Sequence, residues 1–303
     1  MSDRDARVPL VLDTDIGSDI DDAVALAYLL RQPRCELLGV TTVTGNVAQR
    51  AALCDVICRE AGRDDVPIHA GAPEVLLFGP GQPQVPQYEA IAGRPHRTEF
   101  PPNTAVEFLR RTIRERPGQV TLLTIGPLTN IGLLFATDPE AAALLKQLVL
   151  MCGVFTGGGD HGPGDREWNA MVDPIATAMV FRARPPRLLS VGLEVTTRCR
   201  LPAEECRRRF RAAGGPLAIV ADMAEVWFRG GDAITFHDPL AAAVIFEPQL
   251  CTYAAGHVTV ETQSERLAGL TSFCRQQSAA PHRIAVSVDP EAFIRHYFGV
   301  TGG

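Results

Sequence analysis

Between Val8 and Leu193 the chain alternates short apolar, strand-like runs with longer helix-like segments. Val8 to Leu12, Glu36 to Val43, Val66 to His69, Val120 to Ile125, Gln147 to Met151 and Leu188 to Leu193 read as strands. Between them, Ala23 to Leu30, Val47 to Ala61, Thr104 to Arg116 (capped by Asn103), Leu128 to Ala136, Glu140 to Leu145 and Pro174 to Phe181 read as helices. Strands alternating with helices imply βαβ units and a mostly parallel sheet flanked by helices, an α/β fold. Ligands of such sheets bind outside the carboxyl ends of the strands. Asp13, Asn46, Gly126, Gly153 and Glu194 each follow a predicted strand, so they are expected to meet at one crevice.

The loop after the first strand is chemically unusual. Asp13-Thr14-Asp15-Ile16-Gly17-Ser18-Asp19-Ile20-Asp21-Asp22 places five carboxylates in ten residues. Like charges sharing a site raise one another's pKa. A hard divalent cation removes that penalty, and calcium takes its ligands from oxygen. The segment therefore reads as a metal-binding catalytic loop. An EF-hand is excluded: Val24 stands at the twelfth position from Asp13, where that loop needs a bidentate Glu, and a strand rather than a helix precedes it.

Other features narrow the class. The chain has 303 residues, 46% hydrophobic, enough for an ample core in one domain over 1–303. A net charge of −6 gives no nucleic-acid footprint. No apolar run is long enough to span a bilayer, and the polar Met1 to Val8 does not read as a secretory signal. The eight cysteines contain no Cys-x-x-Cys pair, and Cys54 and Cys58 read as small buried hydrophobes rather than zinc ligands. Reduced thiols fit a cytoplasmic protein. Three stretches interrupt the alternation: the Pro- and Gly-rich 72–102, the Gly-rich 154–168, and 198–235, mostly helical with Trp227 and Phe228. The first two read as lids. His237-Asp238-Pro239 precedes the apolar helix Leu240 to Phe246, where Asp238 reads as an N-cap.

Taken together, the segments Asp13 to Gly17 with Asp21-Asp22-Ala23, Thr41 to Asn46, Gly126 to Ile131, Glu167-Trp168-Asn169 with Asp173-Pro174, and His237-Asp238-Pro239 occur in the order of the inosine–uridine-type nucleoside hydrolases. The chain resembles that family from about Val8 to Pro290. The resemblance implies a Rossmann-like core and a calcium-dependent N-ribohydrolase that releases base and ribose from a small-molecule ribonucleoside, as in nucleoside salvage. It implies that Asp15 binds calcium and acts as general base on the attacking water. Asp22, the backbone carbonyl of Ile125 and Asp238 would complete the protein's calcium ligands. Asp21, Asn46, Glu167 and Asn169, with Asp238, would hold the ribose. Asp13 would buttress the loop, and His237 would give a proton to the leaving base. A homodimer or homotetramer is the expected assembly.

This chain departs from the family pattern in three places. The acidic loop is two residues longer, which makes Asp19 a surplus carboxylate. The 72–102 loop lacks a His-Gly segment near the base and offers Phe78, Tyr88 and Phe100 as its aromatic candidates. The Gly-rich loop is longer, with Asp160 as a candidate sugar contact. These departures bear on the choice of base. Two other readings remain. A non-catalytic ribonucleoside binder on the same fold is one. A magnesium-dependent phosphatase with Asp13 as nucleophile is the other, although it gives Asn46, Asn169 and His237 no role.

Overall fold

In the first strand, β1 (Val8–Thr14), side chains alternate between two separate cores. Leu10 and Leu12 join one apolar cluster and Val11 the other, as the period of two requires. A strand with both faces apolar must be covered on both faces. The computed structural model, which describes residues 7–156, 165–276 and 280–302, shows that cover.

The first half keeps the βαβ rhythm: α1 (Asp21–Arg31), β2 (Cys35–Thr42), α2 (Val47–Glu60), β3 (Ile68–Ala70), α3 (Ala105–Glu115), β4 (Thr121–Thr124), α4 (Thr129–Thr137) and β5 (Gln147–Met151). Two short helices, α5 (Trp168–Val172) and α6 (Pro174–Arg182), lead to β6 (Leu188–Val191) and the single turn α7 (Leu193–Thr196). Next come β7 (Arg200–Pro202), α8 (Ala203–Ala213), α9 (Pro216–Trp227), β8 (Ala233–Thr235) and α10 (His237–Phe246). The chain ends with β9 (Cys251–Val260), β10 (Thr271–Arg275), β11 (His282–Val288) and α11 (Pro290–Thr301).

Among the described residues the main sheet has nine strands, in the order β10-β9-β11-β6-β5-β4-β1-β2-β3. From β3 to β11 every neighbouring pair is parallel. Only β9 and β10 add to the edge antiparallel. Side chains of α1, α2 and α8 to α11 fill one core, and those of α3, α4 and α6 fill the other. Each fully buried Leu, Ile or Val in these layers contributes roughly 1.5–3 kcal/mol relative to exposure. The chain runs outward from β1 to β3, then restarts at β4 on the other side of β1. That reversal opens a crevice between the carboxyl ends of β1 and β4, the switch point where open α/β sheets bind ligands.

Several local expectations need correction. Asn103 does not cap α3. It has a left-handed φ of 56°, and Thr104 occupies the cap position without a side-chain bond. The stretch from Glu140 to Leu145 forms only a 3-10 turn, Pro139–Ala142. The strand from Leu188 stops at Val191 and gives way to α7. The 198–235 segment is mostly helical as expected, and its two helices are framed by an antiparallel ribbon of β7 and β8. Asp238 is not an N-cap: α10 begins at His237, and Asp238 lies in its first turn. Among the described residues no helix is long and apolar enough to cross a membrane.

Candidate active site

Two helix N-termini meet at the switch point. α1 carries Asp21 and Asp22 in its first turn, and α10 carries Asp238 in its own. Among the described residues neither helix has a side-chain cap. Their positive ends favour carboxylates placed there. The backbone N–H of Asp238 donates to Asp21 Oδ2 at 3.0 Å, which ties the two helix starts together. Asp21, Asp22 and Asp238 are all buried and offer ligand oxygens within 4.8 Å of one another.

Burial first, and the neighbouring carboxylates second, push the carboxyls of Asp21 and Asp238 well above the ordinary range. Asp22 is raised by burial and by Asp15, although Thr14 Oγ1 donates to it at 2.5 Å. Asp15 stands outside the close trio but faces the same cavity. Burial raises its carboxyl, and the nearby Arg50 guanidinium opposes that rise. Asp19 is half-buried, accepts from the Ile20 N–H at 2.7 Å and is pushed up to about 6 by burial. The donors are all carboxylate oxygens, with Ile125 beside them in the cavity wall. Such a set suits a hard divalent cation, not zinc or copper.

Asp13 lies beneath the loop. Thr41 Oγ1 and Asn130 Nδ2 (2.7 Å) both donate to its Oδ1, while Oδ2 is buried without a partner among the described residues. Burial pushes its carboxyl up to about 7. Asn130 also donates to Thr42 O at 3.1 Å and accepts from the Ala72 N–H at 2.9 Å, so Asp13 sits in a network joining β1, β2 and the start of the 72–102 loop.

Gly126, just past β4, is fixed by sterics. A Cβ there would lie 2.8 Å from Asp15 N and 2.9 Å from Asp15 Oδ1. Gly126→Ala is expected to displace the Asp15 carboxylate and lower kcat/KM by about 100-fold, the effect of an ångström-scale misplacement. Steady-state kinetics with a thermal melt check this. Wild-type kinetics would mean that the loop yields freely.

One cavity of about 600 Å³ collects Asp15, Asp19, Asp21, Asp22, Ile125, Glu167, Asn169, His237 and Asp238. Glu167 caps α5: its carboxylate accepts from Asn169 N at 2.6 Å, Ala170 N at 3.0 Å and Gly153 N at 3.0 Å. Asn169 Nδ2 donates to Ile125 O at 2.9 Å and Met151 O at 3.0 Å, linking the ends of β4 and β5. His237 Nδ1 lies 2.7 Å from Thr196 Oγ1, which orients the ring from α7.

Asn46 is not brought to the cavity. Its Oδ1 accepts from Gln49 N at 3.1 Å, which makes it the N-cap of α2. The aromatic candidates of the 72–102 loop also miss the cavity. Phe78 is exposed, Tyr88 bonds His96 at 3.2 Å, and Phe100 is buried under Arg97. From that loop Gln82, Gln84 and Pro86 line the wall instead, and Trp168 and Trp227 supply its aromatic surface. Trp227 stood out only as a large side chain inside an expected insertion. Asp160 lies outside the described residues, with the rest of 157–164.

Fold and site together make this an α/β protein with a buried carboxylate cluster at its switch point. The sequence model of the inosine-uridine preferring nucleoside hydrolases matches residues 10–295. The chain is 33% identical to uridine nucleosidase 1 of Arabidopsis thaliana over 84% of this chain and 78% of that protein. It is 32% identical to the pyrimidine-specific ribonucleoside hydrolase RihA of Klebsiella pneumoniae over 95% and 96% of the two chains. A solved plant nucleoside hydrolase superposes with a TM-score of 0.81, at 25% identity, over 98% of this chain and 99% of that one. The chain therefore belongs to the inosine-uridine preferring nucleoside hydrolase family, metal-dependent enzymes that hydrolyse the N-glycosidic bond of nucleosides.

Proposed function

We propose that the protein hydrolyses a ribonucleoside to free base and ribose by direct attack of water, with calcium as its metal. The observation that supports this most is the gathering of Asp15, Asp22, Asp238, Ile125 and His237 around one cavity. Asp15, Asp22, Asp238 and the Ile125 carbonyl hold the ion in this reading. Asp21 stands close enough to Asp22 and Asp238 to share that task as well as to bind a ribose hydroxyl. When bound, calcium acts as a Lewis acid toward water and can take up vicinal hydroxyls. Asp15 accepts the proton of the attacking water. Glycosidic cleavage builds oxocarbenium charge on the sugar, and the surrounding carboxylates stabilise it electrostatically. Glu167 and Asn169 meet the sugar from the β5 side. Asn169 has committed its N–H groups to two carbonyls, so its Oδ1 is the atom for a ribose hydroxyl. Asn46 acts by capping α2.

His237 protonates the departing base in this scheme, with Thr196 holding its Nδ1 side. His237→Ala is expected to slow natural nucleosides by about 100-fold or more, the usual contribution of a general acid. An activated aryl riboside, whose leaving group needs no proton, should lose only a few-fold. Equal losses on both substrates would remove His237 from the acid role.

The names of the two relatives put pyrimidine ribonucleosides first among candidate substrates. The test is reducing-sugar release from uridine, cytidine, inosine, adenosine and p-nitrophenyl riboside, beside the matching 2′-deoxyribosides. Release from ribosides with little from deoxyribosides supports the calcium–diol reading. Equal release from both sugars removes it. Binding without release from any member would favour a non-catalytic binder.

A further inference from the structure

The first turn of α2 carries a side chain that helix stability does not ask for. Arg50 is a cation near the positive end of a helix, where the dipole disfavours it. Its side chain is also fully buried, the only buried arginine or lysine among the described residues. Burying a charge is costly unless it is paired and hydrogen-bonded. Among the described residues no carboxylate is in ion-pair contact with it, and every hydrogen bond it makes goes to a neutral oxygen.

Those oxygens belong to three separate loops at the carboxyl end of the sheet. Nη1 donates to the backbone carbonyl of Asp15, to Ile16 O at 2.9 Å and to Ser18 Oγ at 3.1 Å, all in the acidic loop. Nε donates to Thr44 O at 2.8 Å, in the turn that leads to Asn46. Nη2 donates to Gln82 O at 2.7 Å, in the loop that walls the cavity. The second and third loops are also bound to each other, because Gln82 N donates to Thr44 Oγ1 at 3.2 Å. Thr44 has a φ of 60°, unusual for a β-branched residue, so its turn needs holding. A helical side chain leans toward the helix N-terminus, which is why position 50 reaches past Asn46 to these carbonyls. Only a guanidinium presents donors in a planar fork wide enough to serve all three loops. Its charge lies behind Asp15 and Asp22 and attracts both.

We propose that Arg50 is a positioning residue that clamps the acidic loop, the Thr44 turn and the Gln82 loop into the shape that receives the metal and the sugar. The inference rests on the calcium reading of the cavity. Arg50 does not line the cavity and acts through the backbone of Asp15.

The experiment is calorimetric titration of calcium into metal-free wild type, R50K and R50M, with thermal melts and with kcat and KM at saturating calcium. R50K keeps the charge but loses the fork, whereas R50M keeps the bulk and loses both. Calcium affinity is expected to fall about 10–100-fold in R50K, as for other residues that support metal ligands, and further in R50M. Excess calcium should restore part of kcat in R50K and leave KM raised. If R50M does not fold, R50K alone decides. Calcium affinity and KM equal to wild type in folded R50K overturn the proposal, even if its melting temperature drops, because Arg50 is then purely structural. A wild type that binds no calcium overturns the calcium reading and this inference together. Wild-type binding that survives in R50K overturns this inference alone.

Discussion

Asp15→Ala is expected to abolish turnover, with kcat lower by about 10⁴-fold, the upper range for loss of a general base. In the proposed reading the same change also removes a calcium ligand, so calcium affinity is expected to fall as well. The fold should survive, because Arg50 grips the backbone carbonyl of Asp15 rather than its carboxylate. Removing the carboxylate also takes one charge out of a crowded buried cluster in which Asp15 raises the carboxyls of Asp22 and Asp238. The change also removes the attraction of Asp15 for the buried Arg50, so the metal-free variant should melt close to metal-free wild type. Asp15→Asn refines the result, since the amide oxygen can still ligate but cannot accept the proton. Asn should recover more calcium affinity than activity relative to Ala. Near-normal kcat in either variant would refute Asp15 as the base. An inactive Ala variant that is also unfolded would leave Asn to decide between ligand and base.

That prediction was reachable from the sequence because the acidic loop has no folding rationale. Strand, Asp-rich loop and helix succeed one another without interruption, so the carboxylates had to stand at a strand end. The βαβ core was legible for the same reason: its strands are buried on both faces and read as continuous apolar runs. The C-terminal edge was not. β9 contains Ala254, Ala255 and Gly256 and alternates buried with part-exposed positions, so it lacks the apolar density of the inner strands. Within the site, residue type was legible but hydrogen-bond commitment was not. Asn46 and Asn169 look alike in a motif. The first caps a helix and the second bridges two strand ends, and only packing decides which. Arg50 was missed because a lone arginine in an ordinary helix reads as a solvated side chain. Its one signal is its place in the first turn of α2, a turn without any acidic residue, where a cation gains nothing from the helix.

Chelation is expected to stop hydrolysis, calcium to restore it, and the stabilisation by calcium to grow as pH rises from about 5 to 7. The sign comes from the raised carboxyls. An unfolded Asp releases its proton near 3.8, whereas the folded, metal-free protein holds Asp19 protonated to about 6 and Asp13 to about 7. Asp21, Asp22 and Asp238 are raised as well. Through that window the native state binds more protons than the unfolded state, so these groups make the metal-free protein less stable as pH rises. Bound calcium favours the ionised carboxylates and expels those protons, which makes its affinity climb over the same interval. Groups outside the cluster, such as the buried His282, titrate with either form and cancel in the comparison. Calcium at 100 times its dissociation constant adds about 2.7 kcal/mol to folding, enough for a clear rise in melting temperature. Paired melts with chelator and with calcium at several pH values check the trend, and magnesium and zinc arms test the choice of ion. A gap that stays constant from acid to neutral pH would mean that the metal binds away from these carboxylates. A larger gap with zinc than with calcium would overturn the hard-oxygen reading of the site.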